Sequence, residues 1–230
     1  MEIIMIQYDI LLSIRKEIRL KNTVVYRLDE SSPDFSIIKK CADVIKSGGV
    51  VAFPTETVYG VGANAFNSRA VREIYYAKER PASKPLLCHI NSLAQAEKIA
   101  FLNEDAVKLI NAFTPGPLTV IVKKRECVPD IVTADGDTVG LRFPSNKVFT
   151  LLSAEADCPI AATSANISGK ISAKNGDEVI SELFGRVDVI MDAGKTEFGL
   201  ESTIVSLVGE PKILRQGAVA RSEIERLIRL

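Results

Sequence analysis

Short apolar runs and amphipathic helical patterns alternate along almost the whole 230-residue chain. The runs at 50–53, 118–122, 139–143 and 203–207 have the length and apolar character of buried strands. Helical patterns such as the one over 68–78 lie between them. Such interleaving predicts an α/β protein with a single mixed sheet flanked by helices.

Capping signals predict where several of the helices begin and end. Ser32–Pro33 predicts a helix with Ser32 as its cap and proline in the first turn, and Gly48–Gly49 predicts its end. The capping-box pattern is found at Ser92–Gln95 and at Ser222–Glu225. The second of these predicts a short closing helix over 221–230, after a main domain over 23–220 and an amino-terminal extension over 1–22.

The first twenty residues are fairly apolar, but Glu2, Asp9 and a charged group near Arg15 interrupt them. The segment lacks a basic start followed by an uncharged run, so it fits neither a signal peptide nor a membrane span. A cytoplasmic location without membrane association is the expectation. The four cysteines form no C-x-x-C pair and only one histidine is present, so we expect buried thiols in a reducing compartment and no zinc site.

Polar residues collect where the apolar strands end. The segment Pro54–Gly62 brings hydroxyls at Thr55 and Thr57, and its glycines at 60 and 62 indicate a loop that approaches something closely. The segment Pro159–Gly169 runs from an apolar strand into a series of hydroxyl and amide side chains, which suits a nest of donors for an anion. Neither a P-loop nor a complete G-x-G-x-x-G pattern is present.

Three further features each allow two interpretations. The loop Lys78–Pro85 has three cations and two prolines, which fits either a solvated charge run or a rigid grip on a polyphosphate. Arg142 and Arg215 lie in apolar strands, where the partner of each is either a structural acid or a ligand anion. His89 ends an apolar strand, where a structural role is the commoner one.

Together these segments resemble the YrdC-like domain of the threonylcarbamoyl-AMP synthase family. The resemblance runs from about Val24 to Val219 and rests on eight motifs in the family's order. The motifs are Pro54-Thr-Glu-Thr-Val-Tyr-Gly60, Lys78-x-Arg-Pro81, Lys84-Pro-Leu86, Pro115-Gly-Pro-Leu-Thr119, Leu141-Arg-x-Pro144, Thr163-Ser-Ala-Asn166, Ser202-Thr203 and Leu214-Arg-x-Gly217. The chain would be a short form, without the second domain that longer members append.

The resemblance implies a twisted sheet with a large, concave, positively lined cavity. It implies that threonine, bicarbonate or CO2, and ATP with Mg2+ are condensed to threonylcarbamoyl-AMP and pyrophosphate, with no metal held by the protein itself. The product would supply a tRNA-modifying threonylcarbamoyl transferase complex. A catalytic tetrad would surround the phosphates, and it consists of Lys78, Arg80, Ser164 and Asn166. The threonine site would comprise Thr55, His89, Arg142, Ala162 and Ser202, and the further ATP contacts would be Ala82, Thr138, Ser172 and Arg215.

Three other functions are weighed against this one. A non-catalytic module for double-stranded RNA or tRNA would use the same cations on backbone phosphates, but Lys+Arg and Asp+Glu both total 29, so the net charge does not favour it. A carbamoyl-adenylating enzyme that uses carbamoyl phosphate would be expected to carry acylphosphatase and zinc-finger segments. A scaffold in a tRNA-modifying assembly would not need the ligand motifs. Weak binding of tRNA remains compatible with the enzymatic interpretation.

Overall fold

A computed structural model describes residues 20–230, so nearly all of the expected extension over 1–22 lies outside the described residues. The strands are β1 Val24–Arg27, β2 Val51–Phe53, β3 Gly60–Asn64, β4 Leu87–His89, β5 Ala100–Phe101, β6 Leu118–Lys124, β7 Thr138–Arg142, β8 Ile160–Ser164, β9 Val189–Asp192, β10 Thr203–Ser206 and β11 Lys212–Arg215. The helices are α1 Phe35–Lys46, α2 Ser68–Lys78, α3 Leu93–Ile99, α4 Glu104–Phe113, α5 Asp130–Thr133, α6 Lys147–Ala156, α7 Gly176–Leu183 and α8 Arg221–Glu225.

All of these strands belong to one sheet, in the order β1-β9-β2-β3-β8-β4-β7-β6-β10-β11, with β5 paired to β6. Its centre is mixed: β4 runs parallel to β7, whereas β8 runs antiparallel to both of its neighbours, β3 and β4. The predicted α/β fold with one mixed sheet is therefore confirmed.

Helices cover both faces of the sheet, and each face has its own core. Helices α1 and α6 pack on one face, where Phe53, Phe149 and Ile160 belong to one buried cluster. The opposite face packs against α2, α3, α4 and α7 in a larger cluster. Because α1 and α6 cover only the part of the first face near β2, β8 and β9, the rest of that face is left for the polar residues described below.

The helix boundaries correct two of the predicted caps. Asp34, not Ser32, caps α1, since its side chain accepts a hydrogen bond from the Ser36 amide, and the proline precedes the helix. The closing helix begins after Ala220, whose amide donates to Glu223 at 2.9 Å, so Ser222 is not its cap. In both cases the favourable residue lies one or two positions from the site where the backbone turns. Ser92 does cap α3, by accepting from the Gln95 amide at 3.2 Å.

The glycines at 60 and 62 lie in strand β3, not in the loop that their spacing suggested. A Cβ at Gly60 would lie 2.6 Å from a ring carbon of Phe53, and one at Gly62 would lie 2.6 Å from the Ala161 carbonyl oxygen. The close approach predicted for these glycines is therefore real, but it is made to the protein's own core.

Three of the four cysteines are buried as expected, while Cys127 is exposed, and all four thiols are free. Within residues 20–230 no helix combines the length and apolar character needed to cross a membrane.

Candidate functional site

The strand register places the predicted ligand residues of the strands on one face of the sheet. Ala162 of β8 pairs with Leu87 of β4, so His89 lies on the same face two residues further along β4. His89 in turn pairs with Arg142 of β7, which pairs with Thr119 of β6. Side chains in register share a face, and Ser164 joins them because it lies two residues after Ala162.

This shared face has two ends. His89 and Arg142 lie where β4 and β7 end, and Ser202 directly precedes β10 at the same end. Ser164 lies at the other end, because β8 runs antiparallel to β4. Four residues of strand separate Ile160, the partner of His89, from Ser164, which corresponds to roughly 13 Å. We call these the arginine end and the lysine end.

The face is concave. Three strand intervals separate β2 from β4, a span of roughly 14 Å in a flat sheet. Even so, the rings of Phe53 and His89 are 5.9 Å apart between centroids. The loop after β2 also contacts Arg142 on β7, another strand further on. The sheet must curve toward this face, and the small residues of β3 and β8 allow the side chains to meet across it.

At the arginine end, the Arg142 guanidinium is held by the segment that follows β2. Its Nη2 donates to Glu56 Oε1 at 3.0 Å and also to the Thr57 hydroxyl, while Thr55 Oγ1 lies at 3.4 Å. The residue is only 5% exposed, and its Nε is buried without a hydrogen-bond partner. The structural acid that the sequence left open is thus Glu56. Every hydrogen bond of the guanidinium is made by Nη2, so neither Nε nor Nη1 has a partner among the described residues.

His89 lies beside Arg142 in an apolar setting. Its ring packs edge-on against Phe149, with the centroids 5.4 Å apart, and its Nδ1 is buried without a partner. Burial, and then the charge of Arg142, lowers the pKa of His89 well below its usual value. The imidazole is therefore neutral at physiological pH and suits shape recognition better than proton transfer.

At the lysine end, three of the four tetrad residues form one hydrogen-bonded cluster. Lys78, the last residue of α2, donates to the backbone carbonyls of Ser164 and Asn166 and lies 3.4 Å from Asn166 Oδ1. The Ser164 hydroxyl donates to the same Oδ1 at 2.6 Å. Burial, and then the charge of Arg80, lowers the pKa of Lys78 to about 7.

Arg80 lies close enough to Lys78 for its charge to be felt there, but it is not hydrogen-bonded to the other tetrad residues. Its guanidinium donates to the carbonyl oxygens of Lys84, at 3.1 Å, and Pro85, at 2.8 Å. The loop is therefore folded around its own arginine.

A second network joins the predicted contacts on β10, β11 and the loop after β8. Arg215 donates to the Ser202 carbonyl at 3.0 Å and to its hydroxyl at 3.1 Å. Glu201 forms an ion pair with Arg215 and accepts a hydrogen bond from Ser172 at 2.7 Å. Ser202 also shares a hydrogen bond of 2.9 Å with Thr119. Sequence reasoning placed Arg215 with the nucleotide, whereas the structure bonds it to a residue of the predicted threonine site.

Two predicted contacts lie apart from these networks. Ala82 is exposed in the loop after α2, and Thr138 begins β7 at the end opposite Arg142. A surface hollow of about 280 Å³ lies elsewhere, between Phe101 and Gly209, and none of the predicted site residues lines it. Lys78 and Arg142 are both buried, with 1% and 5% of their surfaces exposed. The large cavity therefore remains a prediction.

Sequence reasoning missed Glu56 and Glu201 as members of the site, and it noted the hydroxyl of Thr57 without placing that residue in the threonine site. Glu56 and Thr57 lie within the motif that singled out Thr55, and Glu201 precedes Ser202. The available signal was the need of each strand arginine for an anion, and Glu56 and Glu201 were candidates for that role because they lie within or beside the quoted motifs.

A single mixed sheet flanked by helices, with arginine and lysine ends on one face, defines the class of this protein as a single-sheet α/β domain. The chain belongs to the Sua5/YciO/YrdC family, since the family model described as "Telomere recombination" matches residues 43–217.

Three relatives illustrate the similarity. The threonylcarbamoyl-AMP synthase of Pyrococcus abyssi is 42% identical over 208 residues, which cover 90% of this chain and 61% of the relative. A putative threonylcarbamoyl-AMP synthase of Methanocaldococcus jannaschii is 37% identical and is covered over 99% of its length, with 90% of this chain. The crystal structure of P. abyssi Sua5 complexed with L-threonine superposes with a TM-score of 0.87 at 41% identity, over 90% of this chain and 61% of that one. The chain thus spans about three-fifths of the P. abyssi protein.

Proposed function

We propose that this protein is an L-threonylcarbamoyladenylate synthase, a nucleotidyltransferase that condenses L-threonine, bicarbonate or CO2, and ATP into threonylcarbamoyl-AMP. Pyrophosphate is released, and water is released as well when bicarbonate is the carbon source. One observation supports this most directly. An arginine with an unused donor and a lysine cluster lie at the two ends of one concave face. The names of the relatives point to the same activity.

The arginine end is the proposed threonine site. The unused Nε of Arg142 would donate to the threonine carboxylate, as arginine does with planar anions. His89, Ala162 and the hydroxyls of Thr55 and Ser202 would surround the amino acid. Because burial lowers the pKa of His89 well below its usual value, the imidazole is a weak base, and we assign it to the shape of the side-chain pocket and not to proton transfer.

The lysine end is the proposed triphosphate site. Lys78 and Arg80 would neutralise the charge that grows on the leaving pyrophosphate, while Ser164 and Asn166 offer neutral donors. Lys78 now donates to carbonyl oxygens, so it would have to exchange these bonds for phosphate oxygens. Further nucleotide contacts are proposed, and they are Ala82 through its backbone, Thr138, Ser172 and Arg215.

Mg2+ is proposed to arrive with ATP as part of the substrate. Among residues 20–230, no group of three or more His, Cys, Asp or Glu side chains converges on a metal site. The carboxylate beside the nucleotide residues, Glu201, already accepts bonds from Ser172 and Arg215. This donor set fits a Mg2+ held mainly by phosphate oxygens. When bound, the metal would add to the neutralisation of pyrophosphate.

Positioning would be the main contribution of the protein to the reaction. The threonine nitrogen must attack CO2 or bicarbonate, and the carbamate oxygen must then attack the α-phosphorus of ATP as pyrophosphate leaves. Carbamates are weak nucleophiles and are unstable in water, so aligned binding in a screened site is worth about 7–11 kcal/mol.

The direct test is to incubate the protein with ATP, Mg2+, bicarbonate and isotopically labelled threonine, and to look for the labelled mixed anhydride by mass spectrometry. We expect its formation together with pyrophosphate, and its loss when bicarbonate is removed. Turnover of ATP that is independent of threonine would contradict the proposal. Adding tRNA and a threonylcarbamoyl transferase complex, the proposed recipient, should move the label into tRNA.

A further inference from the structure

Glu56 is hydrogen-bonded to two other segments of the protein. Its Oε1 accepts from Arg142 at 3.0 Å, and its Oε2 accepts from the Ser145 amide at 3.1 Å. Its backbone carbonyl accepts from the Phe198 amide at 2.8 Å. One buried residue therefore joins the segment after β2, the turn after β7 and the loop before β10.

The ion pair of Glu56 and Arg142 is almost wholly shielded from water, since the side chains are 2% and 6% exposed. A buried guanidinium without an anion is costly, and Arg142 already faces the nearby charge of Arg215. Glu56 therefore keeps a cation in place that would otherwise be repelled from this end of the face.

Glu56 also fixes the direction of the guanidinium. All the hydrogen bonds between Arg142 and the segment after β2 are made by Nη2. The group is planar and rigid, so holding Nη2 sets the orientation of the unused Nε as well. A carboxylate ligand would then meet a donor whose position is set in advance.

We infer that Glu56 is a positioning residue for the recognition of the substrate carboxylate, which it achieves by holding Arg142 oriented and locally neutralised. The inference rests on the proposed threonine site. It goes beyond that site because it makes Glu56, a residue that need not contact the substrate, responsible for selecting ligands that have a carboxylate.

Glu56→Gln is the decisive variant, because glutamine preserves size and removes the charge. Binding would be measured by calorimetry with L-threonine, with L-threoninamide, which lacks the carboxylate, and with ATP. We expect the dissociation constant for threonine to rise at least tenfold and those for threoninamide and ATP to stay within about twofold. The preference for threonine over threoninamide would then largely vanish. In kinetics, the KM for threonine should rise while kcat changes less than about threefold.

Two further variants make the result decisive. Glu56→Asp keeps the charge and should recover part of the preference for threonine, and it replaces the glutamine variant if that one does not fold. Glu155→Gln is the matched control, because Glu155 faces Lys46 on the outer side of α6, at 3.7 Å, and should behave as wild type.

An unchanged preference for threonine over threoninamide in Glu56→Gln would overturn the inference. So would equal losses of threonine and ATP binding, since those indicate a structural role only. If the wild-type protein itself does not distinguish threonine from threoninamide, the proposed threonine site is wrong. The two failures are therefore distinguishable.

Discussion

The arginine and lysine ends of the concave face hold their cations in different ways. Arg142 is paired directly with a buried carboxylate, Glu56. Lys78 is equally buried, but its hydrogen-bond partners are backbone carbonyls and an amide. Charge at the arginine end is compensated by a carboxylate in direct contact, whereas at the lysine end the direct partners are dipoles and the charges of Glu201 and Glu182 act from further away.

This difference fits two kinds of anion. A carboxylate carries one charge and needs a fixed, planar donor, which a paired arginine supplies at little electrostatic cost. A triphosphate carries several charges and gains most from cations that no carboxylate has already neutralised. We therefore expect changes at the lysine end to have larger effects on activity than changes at the arginine end.

The largest effect is expected from the double variant Lys78→Met/Arg80→Met, which keeps the apolar stems and removes both charges. Pyrophosphate release should fall at least about 1000-fold, because two charge-assisted contacts to the phosphates are lost. Threonine binding and the melting temperature should change little, and both serve as controls. Release at the wild-type rate would refute the tetrad.

The second largest effect is expected from Arg142→Lys, which keeps a charge opposite Glu56 and removes the planar fork. The KM for threonine should rise about 100-fold while the KM for ATP stays within threefold, as measured by steady-state kinetics. Equal changes in the two constants would mean that the ends are not functionally separate. The difference between the partners of Arg142 and those of Lys78 would then have no functional consequence.

The sequence predicted the elements of this fold far better than the partners of its charged side chains. Apolar periodicity is a local property, and it located α2 to the residue. It missed β3, because a segment with closely spaced glycines resembles a loop in sequence. In the structure, Gly60 instead leaves room for the ring of Phe53. The pairing of Glu56 with Arg142 depends on the curvature of the sheet across several strands, and no local pattern encodes it.

A smaller effect, with a defined sign, is expected for the pH dependence of ATP binding. Burial lowers the pKa of Lys78 from 10.5 to about 7, so between these values the unfolded chain binds more protons than the folded one. The contribution of Lys78 to the free energy of unfolding therefore rises with pH between about 7 and 10.5. Binding of ATP needs the ammonium form, so the dissociation constant should rise up to tenfold per unit above pH 7.

Calorimetry at pH 8 in buffers of different ionisation enthalpy would check this, and uptake of nearly one proton is expected on ATP binding. Glu182→Gln is a useful comparison, because the charge of Glu182 raises the pKa of Lys78 and its loss should move the midpoint to lower pH. ATP affinity that is independent of pH from 7 to 8.5 would show that Lys78 does not bind phosphate as a titrating cation.

The smallest effect tests the role of Glu201, which accepts a hydrogen bond from Ser172 and forms an ion pair with Arg215. Ser172→Ala should weaken ATP binding about fivefold, the value of roughly one hydrogen bond. If Ser172 acts through Glu201, the double variant Ser172→Ala/Glu201→Gln should bind ATP no more weakly than the single variant Glu201→Gln. Strictly additive losses in this cycle would instead assign Ser172 a direct contact with the nucleotide. Ser181→Ala, a helix-surface hydroxyl bonded within its own helix, is the control.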